Sequence, residues 1–180
     1  SVIHHDHAKI DRLGMNSHGS NWLKDQYGRE VKTNLFGKLF TLAINKVASI
    51  DPSGIGIEME ADKPGWNDAM NGLPGLFGSG VSETIELKRI LSFLLDNFLL
   101  EENLELPIET VEFSHKLLDV LNNTYDDFDY WNKASSVKED YRDAIRFGTK
   151  EVTVLDGKTV SGLLEAANQK IDVALTKALH

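Results

Sequence analysis

The chain has 180 residues, 41% of them hydrophobic and 26% charged, with a formal net charge of −9 and no cysteine. That length and apolar content suit one globular domain, or one large piece of a bigger one, and exclude a disordered chain. The missing thiols exclude disulfides and zinc–thiolate sites, the negative field disfavours nucleic acid and anionic lipid, and no apolar run nears the roughly 20 residues that span a bilayer.

Residues 1–36 carry His4, His5, His7 and His18, several glycines and little periodicity, which predicts irregular structure or short strands. An irregular entry is unusual for a complete small domain, and suggests a chain cut from something larger. Adjacent groups such as His4, His5, Asp6 and His7 rarely converge on one ion without a fixed third ligand, so no metal is expected. His18, Trp22, Tyr27 and Arg29 suit either pyranose recognition or ordinary packing. The first helix is predicted over 37–50, where Leu39, Leu42, Ala43, Val47 and Ile50 recur at helical spacing. Asp51-Pro52-Ser53-Gly54 stops it with turn residues. A glycine-rich loop follows over 51–81, and long structured loops of this kind are usually functional. Glu58, Glu60 and Asp62, spaced by two, read as a solvated strand face, or else as substrate-hydroxyl ligands or, in a hydrolase, the base that activates water.

The strongest helix is predicted over 82–100, with Ser82 as N-cap and a wide apolar face of Ile85, Ile90, Leu91, Leu94, Leu95 and Phe98. Another is predicted over 107–123, with Pro107 at a permitted start and His115 at the surface. The acidic, aromatic stretch Tyr125 to Trp131 reads as docking one helix on another. Ser136 and Glu139 form a capping-box pattern for a helix running to about Arg146. Residues 151–160 alternate and carry Asp156-Gly157, which predicts a hairpin. Ser161 then caps a final helix to 179, with Leu164, Ala167, Ile171, Ala174, Leu175 and Ala178 on one face. The class is mainly α, with a long loop and one small β-hairpin.

Chemistry concentrates in Asp62-Lys63-Pro64-Gly65-Trp66-Asn67-Asp68-Ala69-Met70-Asn71-Gly72. A preset loop that offers one carboxylate beside an indole suits sugar chemistry. The indole packs on the apolar face of a pyranose and lowers the local dielectric, which favours a protonated carboxyl near neutral pH. Such an acid can protonate a glycosidic oxygen as the bond breaks. The run Trp66-Asn67-Asp68-Ala69-Met70-Asn71 resembles the Asp-Trp-Asn-Asp-Gly-Met-Asn segment of the cellobiose phosphorylase-like enzymes. In that family the second Asp is the general acid, and it matches Asp68. The family's first Asp is Gly65 here and its glycine after the acid is Ala69, so the sugar acted upon is open. The resemblance covers about residues 58–90.

The resemblance implies a carbohydrate-active transferase, a glycosyltransferase to phosphate, built on an (α/α)6 barrel. Its reaction is inverting phosphorolysis of a β-glucoside such as cellobiose or a related β-glucan oligosaccharide. Phosphate is the co-substrate and no other cofactor is implied. Asp68 is the catalytic residue, and Asp62, Trp66, Asn67 and Asn71 are the substrate-binding candidates. The predicted helices are too few for a complete barrel, so residues 1–180 are expected to be a single piece of a larger catalytic domain, with 51–81 as its catalytic loop. The isolated chain is then expected to be inactive and prone to self-association through uncovered helix faces, and a cytoplasmic setting is expected. The competing readings are an inverting glycoside hydrolase on the same barrel, with a second carboxylate roughly 6.5–9.5 Å from the acid, and a non-catalytic carbohydrate-binding or helical interaction module.

Overall fold

The structure is a computed structural model, and it describes residues 7–8, 22–59, 78–99 and 103–180. Within these the chain is mainly helical, with five helices of three turns or more and two short antiparallel strand pairs. Helix α1 (Leu35–Val47) starts where the Asn34 carboxamide accepts the Gly37 N–H at 2.7 Å, a side-chain cap for an otherwise unpaired donor. It buries Phe40, Ala43, Ile44 and Val47. Leu42, expected on that face, is largely exposed, because Phe40 and Ile44 set the stripe one step round the helix.

Strands β1 (Ile57–Glu58) and β2 (Ser79–Gly80) pair antiparallel and lead straight into α2 (Val81–Asp96). Gly80, not Ser82, holds the N-cap position. The buried side of α2 is the single stripe Thr84, Leu87, Leu91 and Leu94, narrower than its composition suggests. Ile85 and Phe93 face out, while Ile90 and Leu95 are partly buried against the core.

Strand β3 (Leu104–Pro107) runs into α3 (Ile108–Asn122), which is followed by α4 (Asp127–Ala144), strand β4 (Val152–Leu155) and α5 (Gly157–Ala178). The expected hairpin at 151–160 does not form. Its first half is β4, but β4 pairs with β3 in the register Leu104↔Leu155 to Pro107↔Val152, with α3 and α4 between the two strands. Asp156-Gly157 is a helix start: the Asp156 carboxylate accepts the Thr159 N–H at 3.0 Å and its hydroxyl at 2.6 Å. Asp before Gly fits a hairpin turn and a helix N-cap alike, and the apolar stripe that follows selects the cap. Ser161 therefore lies inside α5 rather than capping it. Ser136 lies mid-helix too, bonding back to the Asn132 carbonyl, and the cap of α4 is Asp126, ten residues earlier. The acidic aromatic stretch is thus the first turns of α4, where carboxylates favour the positive end of the helix dipole.

Helix α5 packs on both α2 and α3, α4 covers α3, and α1 covers α2. Val160, Leu163, Leu164, Ala167 and Ile171 of α5 are buried with Leu91, Leu94, Phe113 and Leu117 in one continuous core. Phe113 stacks on Tyr141 with centroids 4.7 Å apart, which fixes α4 against α3. The inner face of the β3–β4 pair adds Leu104, Leu106 and Leu155. No helix among the described residues is long and apolar enough to cross a membrane.

The adjacent pair Phe93 and Leu94 tests this layering. Leu94 is fully buried and Phe93 is 50% exposed. Leu94→Ala is expected to lower the unfolding free energy by about 3 kcal/mol through transfer and cavity costs. Phe93→Ala, although it deletes the larger side chain, is expected to cost under about 1 kcal/mol. Denaturant unfolding of both variants reads the difference.

Candidate functional site

The five residues singled out for sugar chemistry, Asp62, Trp66, Asn67, Asp68 and Asn71, lie outside the described residues. The structure does describe the base from which their segment departs and to which it returns. Met59 N–H donates to the Gly78 carbonyl at 3.1 Å, directly beyond the pairs Ile57↔Gly80 and Glu58↔Ser79. The two ends of the intervening segment are therefore hydrogen-bonded neighbours. On its other side β1 is held by α1's trailing residues, through the Ile50↔Ile57 bridge and a 2.8 Å bond from Glu58 N–H to the Ser49 carbonyl.

One buried carboxylate organises this base. Asp51 Oδ1 accepts the N–H groups of Ser53 and Ile55 at 3.0 and 3.1 Å. Its Oδ2 accepts Gly56 N–H at 3.0 Å and the Ser79 hydroxyl at 2.5 Å. Residues 51–56 thus curl around the side chain, with Gly54 at φ +68°, a conformation that glycine adopts without strain. At Gly56 an added Cβ would lie 2.8 Å from the Ser79 oxygen, so the close approach of the two strands also requires glycine. Burial by itself raises the Asp51 carboxyl, but the bonds from Ser79, Ile55, Gly56 and Ser53 outweigh it and hold the group below the usual carboxylate range. Thr84, in the first turn of α2, donates to the Ile55 carbonyl at 3.0 Å and ties the helix to the same turn.

The first turns of α4 lie against this base. Trp131 Nε1–H donates to the Glu58 carboxylate at 2.7 Å, and Phe128, 59% exposed, packs on the indole with centroids 5.3 Å apart. Glu58 is therefore more than a solvated strand residue: it is half-buried and hydrogen-bonded to an indole. Tyr130 is buried and donates its hydroxyl to the Val47 carbonyl at the end of α1; burial pushes its phenol well above the ordinary value. Asp127 binds the ammonium groups of Lys177 and, at 3.6 Å, Lys170, while Lys170 also sits 4.1 Å above the Tyr130 ring. Burial lowers the Lys170 ammonium from its usual value; Asp127 opposes that shift and Lys177 adds to it. Behind the base, Lys138 is buried with its ammonium 3.0 Å from the Ser49 hydroxyl, in a pocket of about 270 Å³ that Lys46 and Arg142 also line.

No family model matches the chain, and no curated protein matches it. Among the other sequence candidates, His18 lies outside the described residues. Tyr27 and Arg29 do come together, the guanidinium 4.9 Å over the ring and paired with Asp25. They line an open groove of about 760 Å³ with residues 149–152, at the β4 end of the molecule. Trp22 is largely exposed, and His115 is exposed as expected. Among the described residues no cluster of three or more His, Asp or Glu could hold a metal ion. Sequence reasoning missed the roles of Asp51, Ser79, Trp131 and Lys138. The Asp-Pro-Ser-Gly run signalled the turn, but nothing local signalled Ser79, 28 positions away, as its partner.

Asp51→Asn replaces an acceptor with an NH2 group that opposes a buried N–H or the Ser79 hydroxyl. It is expected to cost about 2–3 kcal/mol near neutral pH, the worth of hydrogen bonds to a buried charge. The folded carboxyl titrates below its unfolded value, so its contribution is complete above about pH 4 and is lost as pH falls through the folded pKa. The stability gap between wild type and Asp51→Asn should therefore be constant from pH 7 to 5 and narrow only on further acidification, as measured by urea midpoints across that range.

Proposed function

We propose that this chain carries the general-acid loop of an inverting glycoside phosphorylase of the cellobiose phosphorylase-like type, as part of a larger (α/α)6 catalytic domain. The observation that carries the reading is the run Trp66-Asn67-Asp68-Ala69-Met70-Asn71, set in a segment whose ends, Met59 and Gly78, are bonded to each other on a base fixed by Asp51. Closing a segment at both ends reduces the conformational freedom of what it carries, and a positioned acid needs that restriction. The mainly helical architecture is compatible with the barrel type.

In this mechanism an oxygen of inorganic phosphate attacks the anomeric carbon as the glycosidic C–O bond breaks. The Asp68 proton passes to the departing oxygen. Phosphate is already anionic, so no protein base is needed. Trp66 stacks on the sugar ring, and Asp62, Asn67 and Asn71 bind its hydroxyls. Phosphate and the remaining barrel wall are contributed from outside this chain, so the 180-residue chain alone has no turnover. A second reading, an inverting hydrolase, is favoured by Glu58, a half-buried carboxylate at the foot of the same segment, which would activate water in place of phosphate. Turnover in the intact enzyme that stops when phosphate is withdrawn selects the phosphorylase.

The acid assignment makes a graded demand on kinetics. Asp68→Asn keeps the shape and removes the proton. Turnover of a natural disaccharide should fall by roughly 10²–10⁴, the usual worth of positioned general-acid catalysis. A glycosyl fluoride, whose leaving group needs little protonation, should lose much less. Equal losses on both substrates would place Asp68 in binding or folding, and an unchanged rate on both would remove it from the mechanism.

A further inference from the structure

Strands β3 and β4 form a sheet of two, so each has one outer edge, and the two edges are built differently. Ile108 N–H donates to the Glu151 carbonyl at 2.9 Å, which fixes the alternation of the ladder. Residues 151, 153 and 155 turn their backbone groups toward β3, and Val152 and Val154 turn theirs away. On the opposite rim the outward positions of β3 are Glu105 and Pro107, a charge and a residue without an N–H. Those are the usual devices that keep an edge from pairing. β4 has neither. Its outward positions are two β-branched residues, 57% and 54% exposed, and residues 149–152 line one wall of the open 760 Å³ groove.

We propose that β4 pairs antiparallel with β4 of a second copy of this chain, about a two-fold axis through Thr153, to make a four-stranded sheet. The sequence around that centre is self-complementary. Val152 falls opposite Val154 of the second copy, both at positions that turn N–H and C=O outward, so the backbone groups meet as hydrogen-bonded pairs. Continued past the two ends of β4, the same register sets Lys150 opposite Asp156 of the second copy, an opposite-charge pair at each end of the contact. Asp156 is exposed, so its cap bonds to Thr159 leave its charge facing solvent. A one-residue slip of register would put Val152 opposite Leu155 and turn the outward backbone groups of one strand away from those of the other, and a two-residue slip would set Val152 opposite Asp156 or Val154 opposite Lys150, so the register is specified. The two-fold makes the contact isologous and closed, and it removes the unprotected edge from solvent.

The chain has no cysteine, so a single introduced thiol reports the geometry. Thr153 sits on the axis as a non-hydrogen-bonded pair, with Cα atoms about 4.5 Å apart, within disulfide range. Thr153→Cys is expected to give a covalent dimer under mild oxidation, while Ser136→Cys, exposed on α4, stays monomeric on non-reducing gels. Sedimentation of the wild-type chain should show a concentration-dependent dimer. Val152→Lys/Val154→Lys, which sets like charges opposite each other, should raise its dissociation constant at least tenfold with an unchanged far-ultraviolet spectrum. A wild-type chain that stays monomeric at millimolar concentration would overturn the proposal. So would a dimer in which Thr153→Cys does not cross-link or the double lysine variant binds as tightly as wild type; the edge would then be left for a different extended segment, or for none.

Discussion

Burial of α5 is the constraint on which the other elements depend. Its apolar stripe, from Val160 to Ala174, is completely removed from water, and no single partner is wide enough to do that. α2 covers one flank and α3 the other, so both helices must lie alongside it for most of its length. Polar contacts then fix the register. Lys88 on α2 reaches Asn168 and Asp172, and Lys170 and Lys177 reach Asp127 at the start of α4. The Lys88–Asp172 pair is half-exposed and contributes little to stability, but it sets the sliding position of α2 on α5.

That placement carries directly to the candidate site. Once α2 is fixed, so are Ser79 and Gly80 immediately before it, and Thr84 in its first turn. Once α4 is fixed by Asp127 and by the Phe113–Tyr141 stack, so are Tyr130 and Trp131. Asp51 is where these lines meet. Its carboxylate gathers three backbone N–H groups from its own turn and one hydroxyl from the far strand, so a local turn and a tertiary contact share one acceptor. A neutral side chain would satisfy the turn or the strand but not both. The foot of the segment that holds Asp68 is thus positioned by the helical core.

The β3–β4 pair answers a different problem. It joins the ends of the α3–α4 helical hairpin, bringing residue 104 against residue 155, and it delivers Asp156 to cap α5. The Glu109 carboxylate accepts Lys150 N–H at 3.0 Å across the same junction, satisfying a backbone donor that the short ladder leaves over. A sheet of two strands survives here because one face is covered by the helices; the β4 rim, which no second strand among the described residues pairs, is the one whose side chains and charges repeat about Thr153.

The helices were legible in the sequence because their signals are local. Apolar residues at helical spacing placed α1, α2, α3 and α5 within a few residues, and the glycine-rich composition of 51–81 marked a stretch whose two described ends pair as β1 and β2. The same locality explains the errors. Asp156-Gly157 and Ser136/Glu139 each satisfy a short-range rule, and burial of the neighbouring stripe decides between the rules. Whether Val152–Leu155 turns back on itself or crosses to Leu104–Pro107 depends on where α3 and α4 pack. The resemblance around Trp66-Asn67-Asp68 was likewise a property of sequence alone. Only the tertiary structure paired Asp51 with Ser79, Glu58 with Trp131 and β3 with β4, because a hydrogen bond between residues tens of positions apart leaves no periodicity in the chain and forms only once the core has brought its two ends together.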